Sequence, residues 1–433
     1  MKRIFSIILA AAFCLCLAAC AQAARDDDLT DGGDTSGGVT DGGGSGNTDG
    51  GGSGNTDGGG DADSAIQLTT VYGGKSVDLC DPFLREYLEE EDFQAQCDFL
   101  LEHEGEEFAY QNISFAWEGD GSQIYSVWFA DNAAFEDALV VETAECTLSG
   151  GLFLPGETYY WKVIGDAPES ESAADSFAVL DMPVRFLDIT GAYNVRDAGG
   201  WTTESGQRVR WGMLYRGSQL NGYKSRPMPE EGIVQMRDVL GIRSEIDLRI
   251  PDVDDAGQTQ NYLDAEAPYL KATIHPYTTL VEDFDSDDEK YSYYEPSAEA
   301  IRNIFALLSD ESNYPVYYHC NSGADRAGSL TYLLNGLLGV GYDDLTRDFE
   351  ITSFSGMGNR WRGSAESGFT DGIMSDGTSG FTYVAWGKMH ELFMKYYATD
   401  SGLLSDAVEN YLLNVCEVPA EHIQKFREIM LVG

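Results

Sequence analysis

Two basic residues, Lys2 and Arg3, precede an apolar run from Ile4 to Ala19 that is short for a membrane span and has the layout of a secretory leader. Then the apolar pattern vanishes. From Asp26 to Asp63 the chain is Gly, Ser, Asp, Thr and Asn with almost nothing apolar, and has Asp-Gly-Gly-Gly-Ser-Gly-Asn-Thr twice in tandem from Asp41 and Asp49. Calcium-binding glycine repeats need an apolar residue in each repeat, and these have none. Such a stretch cannot bury a core, so it predicts a flexible tether spanning ~35 Å on average. Between residues 65 and 181 apolar residues return with a period of two. Runs around Ile113–Trp117, Ile124–Phe129, Thr158–Val163 and Ser176–Val179 predict half-buried strands, with Trp117 and Trp161 in the core. Pro82 to Glu104 interrupts them with a helix-like acidic insertion, bracketed by Cys80 and Cys97. Outside a cell those two cysteines can form a disulfide; two buried thiols are the other reading.

From Met182 strands and helices interleave. Gly206 marks a turn between Trp201-Thr202-Thr203 and Val209-Arg210-Trp211. A helix is predicted over Pro229–Leu240, strands over Glu245–Leu248 and Leu270–Ile274, and an amphipathic helix over Ser297–Ser309. The acidic, tyrosine-rich stretch Glu282–Tyr294 reads as a loop bordering a pocket. A buried strand, Pro315–Tyr318, leads through a tight loop into an apolar helix, Ser329–Leu338; further helices are predicted over Tyr342–Phe354, Val384–Tyr397, Leu404–Cys416 and Pro419–Leu431. The expected fold class is multidomain: a β-sandwich followed by an α/β domain with a mostly parallel central sheet.

A chain of 433 residues exceeds one typical domain, in keeping with two folded units. Its net charge of −46 repels nucleic acid and anionic lipid, which excludes a nucleic-acid partner. Nine of the 18 arginines nevertheless fall between Arg185 and Arg249. Most should pair with the abundant acids, but such an island is where an anionic substrate can settle.

The tight loop carries the chemistry: His319-Cys320-Asn321-Ser322-Gly323-Ala324-Asp325-Arg326-Ala327-Gly328. Between a strand and a helix N-terminus, backbone amides turn inward and the helix dipole adds positive potential, which makes a phosphate cradle. The same field favours the thiolate of a cysteine at its floor. Arg326 can hold two phosphoryl oxygens with its planar fork. The five histidines are scattered without metal-ligand spacing.

His-Cys-x-x-Gly-x-x-Arg resembles the signature of the protein tyrosine phosphatases, nearest the bacterial secreted type whose loop reads His-Cys-x-Ala-Gly-Lys-Asp-Arg-Thr-Gly. Asn194-Val195-Arg196-Asp197-Ala198-Gly199-Gly200, Tyr215-Arg216-Gly217-Ser218 and Leu240 to Arg249 match the same branch, so the resemblance covers 182–433. It implies metal-free, cofactor-free hydrolysis of a phosphomonoester through a phosphocysteine on Cys320, with Arg326 on the phosphoryl group and His319 holding the loop. Asn321, Ser322, Gly323, Ala324 and Ala327 would line the site, and Arg216 and Arg249 are its candidate substrate arginines. The proton donor stays open between Asp325, Asp247 and an aspartate of the 282–288 stretch. Two departures stand out: Ala324 replaces a lysine, and Ala327 replaces a Thr or Ser whose hydroxyl would bond the thiolate.

Leu17-Ala18-Ala19-Cys20 resembles a bacterial lipobox, which implies removal of 1–19, lipid on Cys20 and a tether over 20–64. An ordinary signal peptide cut elsewhere is the alternative. Leu154-Pro155-Gly156-Glu157-Thr158-Tyr159 resembles the turn into a late strand of a fibronectin type III domain, which would make 65–181 such a unit, with a possible cell-surface partner. The leading expectation is a phosphotyrosine phosphatase, with dual specificity open, lipid-anchored on the extracellular face of a bacterial membrane. The same machinery acting on inositol phosphates or phosphoinositides is the nearest competitor. A non-catalytic cell-surface binding protein is the third reading.

Overall fold

The structure, a computed structural model, describes Ile7–Ile8 and residues 66–433 except 120, 168–169, 223–226, 282–296, 358–359 and 361–380. Cys20, where lipid was expected, the expected tether over 20–64, the 282–294 stretch and nearly all of the expected leader therefore lie outside the described residues.

The first unit is β-rich. Its larger sheet runs in the order Leu139–Thr143, Tyr125–Ala130, Thr158–Ile164, Asp175–Val179, Ser76–Val77, with Ile7–Ile8 beside Val141–Glu142 at the outer edge. A second sheet pairs Ile113–Ala116 with Thr147–Gly150, extended by a bridge from Leu68 to Trp117. Alternation explains the packing: Tyr125, Val127 and Phe129 face inward from one strand, Trp161 and Val163 from the next. Phe115 meets Trp161 at 4.9 Å between ring centroids, so both tryptophans are core, as the pattern implied.

The acidic insertion forms helices α1 (Pro82–Glu89) and α2 (Phe93–Glu102). Asp81 caps α1, its carboxylate accepting from the Phe83 and Leu84 amides, with proline at the first helical position. The apolar face of this insertion turns away from the sheets. Leu84, Tyr87, Leu88 and Leu100 join the buried cluster of the second unit. Phe83 and Tyr87 pack on Phe354, and the Tyr87 hydroxyl donates to the buried Glu350 carboxylate at 2.5 Å. Cys80 and Cys97 are buried and not joined by a disulfide.

In the second unit a five-stranded sheet runs β4 (Tyr269–Lys271), β3 (Ser244–Asp247), β5 (Val316–His319), β2 (Leu214–Gly217), β1 (Arg196–Asp197). The first three pairings are parallel and the last is antiparallel. Register brings Asp247, His319 and Gly217 side by side at the C-terminal ends of the three central strands. Ligands of open α/β sheets bind at such an edge. Helix α3 (Asp325–Leu338) leaves from it, and every residue from Ala327 to Leu338 is buried, as an all-round apolar sequence requires. Gly339 ends it in the left-handed conformation, at φ 93°.

A short helix at Thr278–Val281 was not expected, and two of the expected helices change form along their length. The helix expected from Pro229 is α-helical over Glu230–Val234 and then widens to a π-helix through Val239. The helix from Tyr342 ends at Glu350 and tightens into a 3-10 turn, Ile351–Ser355. Among the described residues no helix is long and apolar enough to cross a membrane.

Candidate active site

Cys320 directly follows the last residue of β5 and is 2% exposed. The four carbonyls after it are all held from behind. Asn321 O accepts from the Gln219 amide at 3.0 Å and Ser322 O from Asn194 Nδ2 at 3.0 Å. Gly323 O and Ala324 O both accept from Arg216 Nη2, at 2.8 and 3.2 Å. Successive carbonyls fixed on the convex side leave the amides for the concave side. Among the described residues the amides of 321–324 donate to no carbonyl or side chain. Gly323 has φ +69°, and a Cβ there would lie 2.4 Å from the Gly217 backbone, so only glycine fits this close approach.

His319 is buried with both ring nitrogens facing acceptors: Nε2 at 2.8 Å from Glu245 Oε1 and Nδ1 at 3.1 Å from Cys320 O. It ties the loop to the neighbouring strand. Arg326 opens the first turn of α3. Its Nη2 donates to Asp254 Oδ2 at 2.6 Å and its Nη1 to Leu248 O at 3.4 Å. Asp254 gave no signal in the sequence beyond being one acid among many.

Arg216 and Arg249 require correction as substrate contacts. Both are fully buried. Arg216 lies beneath the loop, donating from Nη1 to Asp348 Oδ2 at 2.6 Å and to Thr331 Oγ1 at 2.7 Å. Asp348 binds Arg196 as well, through Oδ1 at 2.9 Å. Burial alone would raise the Asp348 carboxyl, but the two guanidiniums outweigh it and hold it below the usual range. Burial and the neighbouring Arg216 charge push Arg196 down to about 10.

Arg249 pairs with Asp247 through Nε and Nη2, at 2.8 and 2.7 Å, and its other donors go to Gln219, Asn221 and Gln258. Asp247 also accepts from Tyr269 and Lys271. Burial would raise this carboxyl, yet the charges of His319, Arg249 and Lys271 hold it well below the usual carboxylate range. Fully buried and ringed by donors, Asp247 is no proton donor, which corrects that candidate too.

Asp325, the first residue of α3, is one-third exposed. The Tyr277 hydroxyl donates to its Oδ1. Arg360 Nη2 lies 2.9 Å from Oδ1 and 3.0 Å from Oδ2. Burial, and then the Asp325 charge, raise the Tyr277 hydroxyl well above its ordinary value, so it stays a donor. Neither Tyr277 nor Arg360 was singled out in the sequence. Ala327 is fully buried; Ser329 Oγ accepts from the Tyr277 amide at 2.9 Å and makes no hydrogen bond to Cys320 among the described residues. The 282–288 acid candidates lie outside the described residues. Among those described, no three His, Cys, Asp or Glu side chains are placed to hold a metal.

A cysteine at a strand end, ringed by inward amides and followed by an arginine at a helix N-terminus, defines a cysteine-type phosphatase domain. Residues 187–432 match the model of the tyrosine phosphatase family, and the chain belongs to that family. A protein of Cupriavidus necator named as a tyrosine-protein phosphatase is 25% identical over 166 residues, 36% of this chain. The chain spans 59% of that relative's length. The solved core catalytic domain of the PP-IP phosphatase SIW14 from S. cerevisiae, in complex with citrate, aligns with 33% of this chain and 71% of its own at 14% identity, with a TM-score of 0.23.

Proposed function

We propose that this protein hydrolyses phosphotyrosine monoesters on the extracellular face of a bacterial membrane, through a phosphocysteine intermediate. The observation that carries this is the cradle itself: Cys320 at its floor, carbonyls 321–324 held away from it, and Arg326 at its rim. The Cys320 thiolate attacks phosphorus, the phosphorus–oxygen bond breaks, and the leaving oxygen takes a proton from Asp325. Water then attacks phosphorus and passes a proton to Asp325, and the phosphorus–sulfur bond breaks to return the thiolate. Inward amides and Arg326 hold the phosphoryl oxygens through both steps.

A nucleophile recessed to 2% exposure suits the long phosphotyrosine side chain better than the short phosphoserine. Alanine at 324 and a net charge of −46 disfavour polyanionic inositol phosphates. The lipobox-like Leu17–Cys20 supports removal of 1–19, anchoring through Cys20 and a tether to residue 64. The β-rich unit is read as fibronectin type III-like, supported by its four consecutive antiparallel strands and the separate pair facing them.

The soluble fragment from Ser64 onward, assayed on phosphotyrosine peptide, phosphoserine peptide and inositol hexakisphosphate, tests the proposal. Phosphotyrosine should be preferred, and Cys320→Ser should abolish turnover while oxyanion binding persists. A serine variant that turns over excludes the thiolate mechanism. A wide preference for inositol hexakisphosphate overturns the substrate assignment.

A further inference from the structure

The loop carries a single cation of its own. Position 324 holds a fully buried alanine, and the Arg326 guanidinium rests on Asp254. A second guanidinium nevertheless stands at the same helix N-terminus. Arg360 comes from beyond the 3-10 turn Ile351–Ser355, where its amide donates to Ser353 Oγ at 2.7 Å. Its side chain is only 11% exposed, and its charge reaches Cys320 as well as Asp325. We propose that Arg360 is the second cation of the phosphate site, resting on Asp325 while the cradle is empty and transferring to a phosphoryl oxygen when it fills.

The reason lies in what Asp325 is asked to do. In the empty site its carboxylate accepts from Arg360 on both oxygens and from the Tyr277 hydroxyl on one. A carboxylate whose oxygens are taken up by these donors is not free to face a leaving oxygen. It becomes a donor only if Arg360 leaves, and a guanidinium this buried leaves only for another anion. A phosphoryl dianion offers one: oxygens matched to the guanidinium fork. After the exchange Asp325 keeps Tyr277 on one oxygen and has the other free to face the leaving group. Among the described residues the charged and titratable groups facing Asp325 are Tyr277, Arg360 and the neighbouring Arg326. Substrate therefore arms its own proton donor, and water entering an empty cradle meets an unarmed one.

This inference rests on the phosphatase reading, but its first test needs no turnover. Inorganic phosphate binding is measured calorimetrically on the full chain carrying Cys320→Ser, with Arg360, Arg360→Lys or Arg360→Met. Methionine should weaken phosphate binding about tenfold or more, and lysine should recover most of the loss. With Cys320 intact, phenyl phosphate hydrolysis is followed across pH. The kcat/KM profile reports the free enzyme and the kcat profile the complex. Arg360→Met should move the alkaline limb of kcat/KM to higher pH and leave that of kcat in place. Arg360→Gln serves if thermal melting shows the methionine variant unfolded. Unchanged phosphate binding overturns the proposal, and so does an equal shift of both limbs, because Arg360 would then remain on Asp325 throughout. Turnover by Cys320→Ser alone would instead defeat the phosphatase reading and leave the phosphate-binding result standing.

Discussion

Asp254 accepts Arg326 Nη2 at 2.6 Å on one oxygen and the Ile250 amide at 2.6 Å on the other. The carboxylate is thus itself oriented by backbone, and it aims the guanidinium from the turn that follows β3. A planar fork gains from such preorganisation, because less freedom is lost when phosphate arrives.

Asp254→Ala should therefore lower kcat/KM by about 10–100-fold through misalignment of Arg326, while the protein stays folded. Steady-state kinetics beside a thermal melt measure this. A loss below about threefold would mean Leu248 O alone aims the arginine.

Asp325→Asn should separate proton donation from loop shaping. Hydrolysis of phenyl phosphate should fall by about 100-fold or more, whereas 2,4-dinitrophenyl phosphate, whose leaving group needs no proton, should change little. Equal losses on the two esters would assign Asp325 a purely structural part. With Asp247 sealed among Arg249, Lys271 and Tyr269, the aspartates of 282–288 would then be tested.

Asp348 should matter for stability more than for chemistry. It joins Arg196 to Arg216, so Asp348→Ala leaves two buried guanidiniums sharing no anion and should cost about 3–5 kcal/mol at pH 7. Its folded carboxyl is held below the ordinary value, so it binds a proton more weakly folded than unfolded. The stabilisation is complete above roughly pH 4, the unfolded range, and is lost as pH falls through the folded value. Urea unfolding at pH 7 and pH 3 should show wild type losing more than Asp348→Asn; equal losses would contradict this.

Ala327 bears on the second chemical step, in which the thiolate departs. A hydroxyl hydrogen bond to a charged group is worth about 1.5–3 kcal/mol, so its absence should slow phosphocysteine breakdown by about one to two orders of magnitude. Ser329 Oγ takes the Tyr277 amide and makes no hydrogen bond to Cys320 among the described residues. Rapid quench with p-nitrophenyl phosphate should give a burst near one product per enzyme, and Ala327→Thr should speed the steady state. No burst and no acceleration together would leave the missing hydroxyl without kinetic effect.

The strand–loop–helix around Cys320 was legible because it is local: an apolar strand, glycine where φ must be positive, an apolar helix behind. The strands of the β-rich unit with tryptophan or phenylalanine alternation were legible for the same reason. Leu139–Thr143 and Thr147–Gly150 were not: the first opens on Leu-Val-Val with no alternation, and the second has one large apolar side chain in four residues. Depth was the harder quantity. Arg216 and Arg249 sit in matched motifs, but a motif records position along the chain and not whether an arginine meets solvent or a buried carboxylate. Asp348, Asp254, Tyr277 and Arg360 lie 35 to 152 residues from the arginines and the acid they hold, too scattered for any periodic signal.

The docking of α1 and α2 onto Glu350 and Phe354 also sets an order of assembly. Synthesis proceeds from the N-terminus, so the apolar face of Leu84, Tyr87 and Leu88 is made more than 250 residues before the partners that cover it. Until the ribosome has passed Phe354 that face lacks its aromatic socket, although the sheets of its own unit can already close. Maturation of the β-rich unit is thus held open by the unit that follows it, and a chain cut between the two would leave a sticky helical flap on one half and a bare aromatic socket on the other.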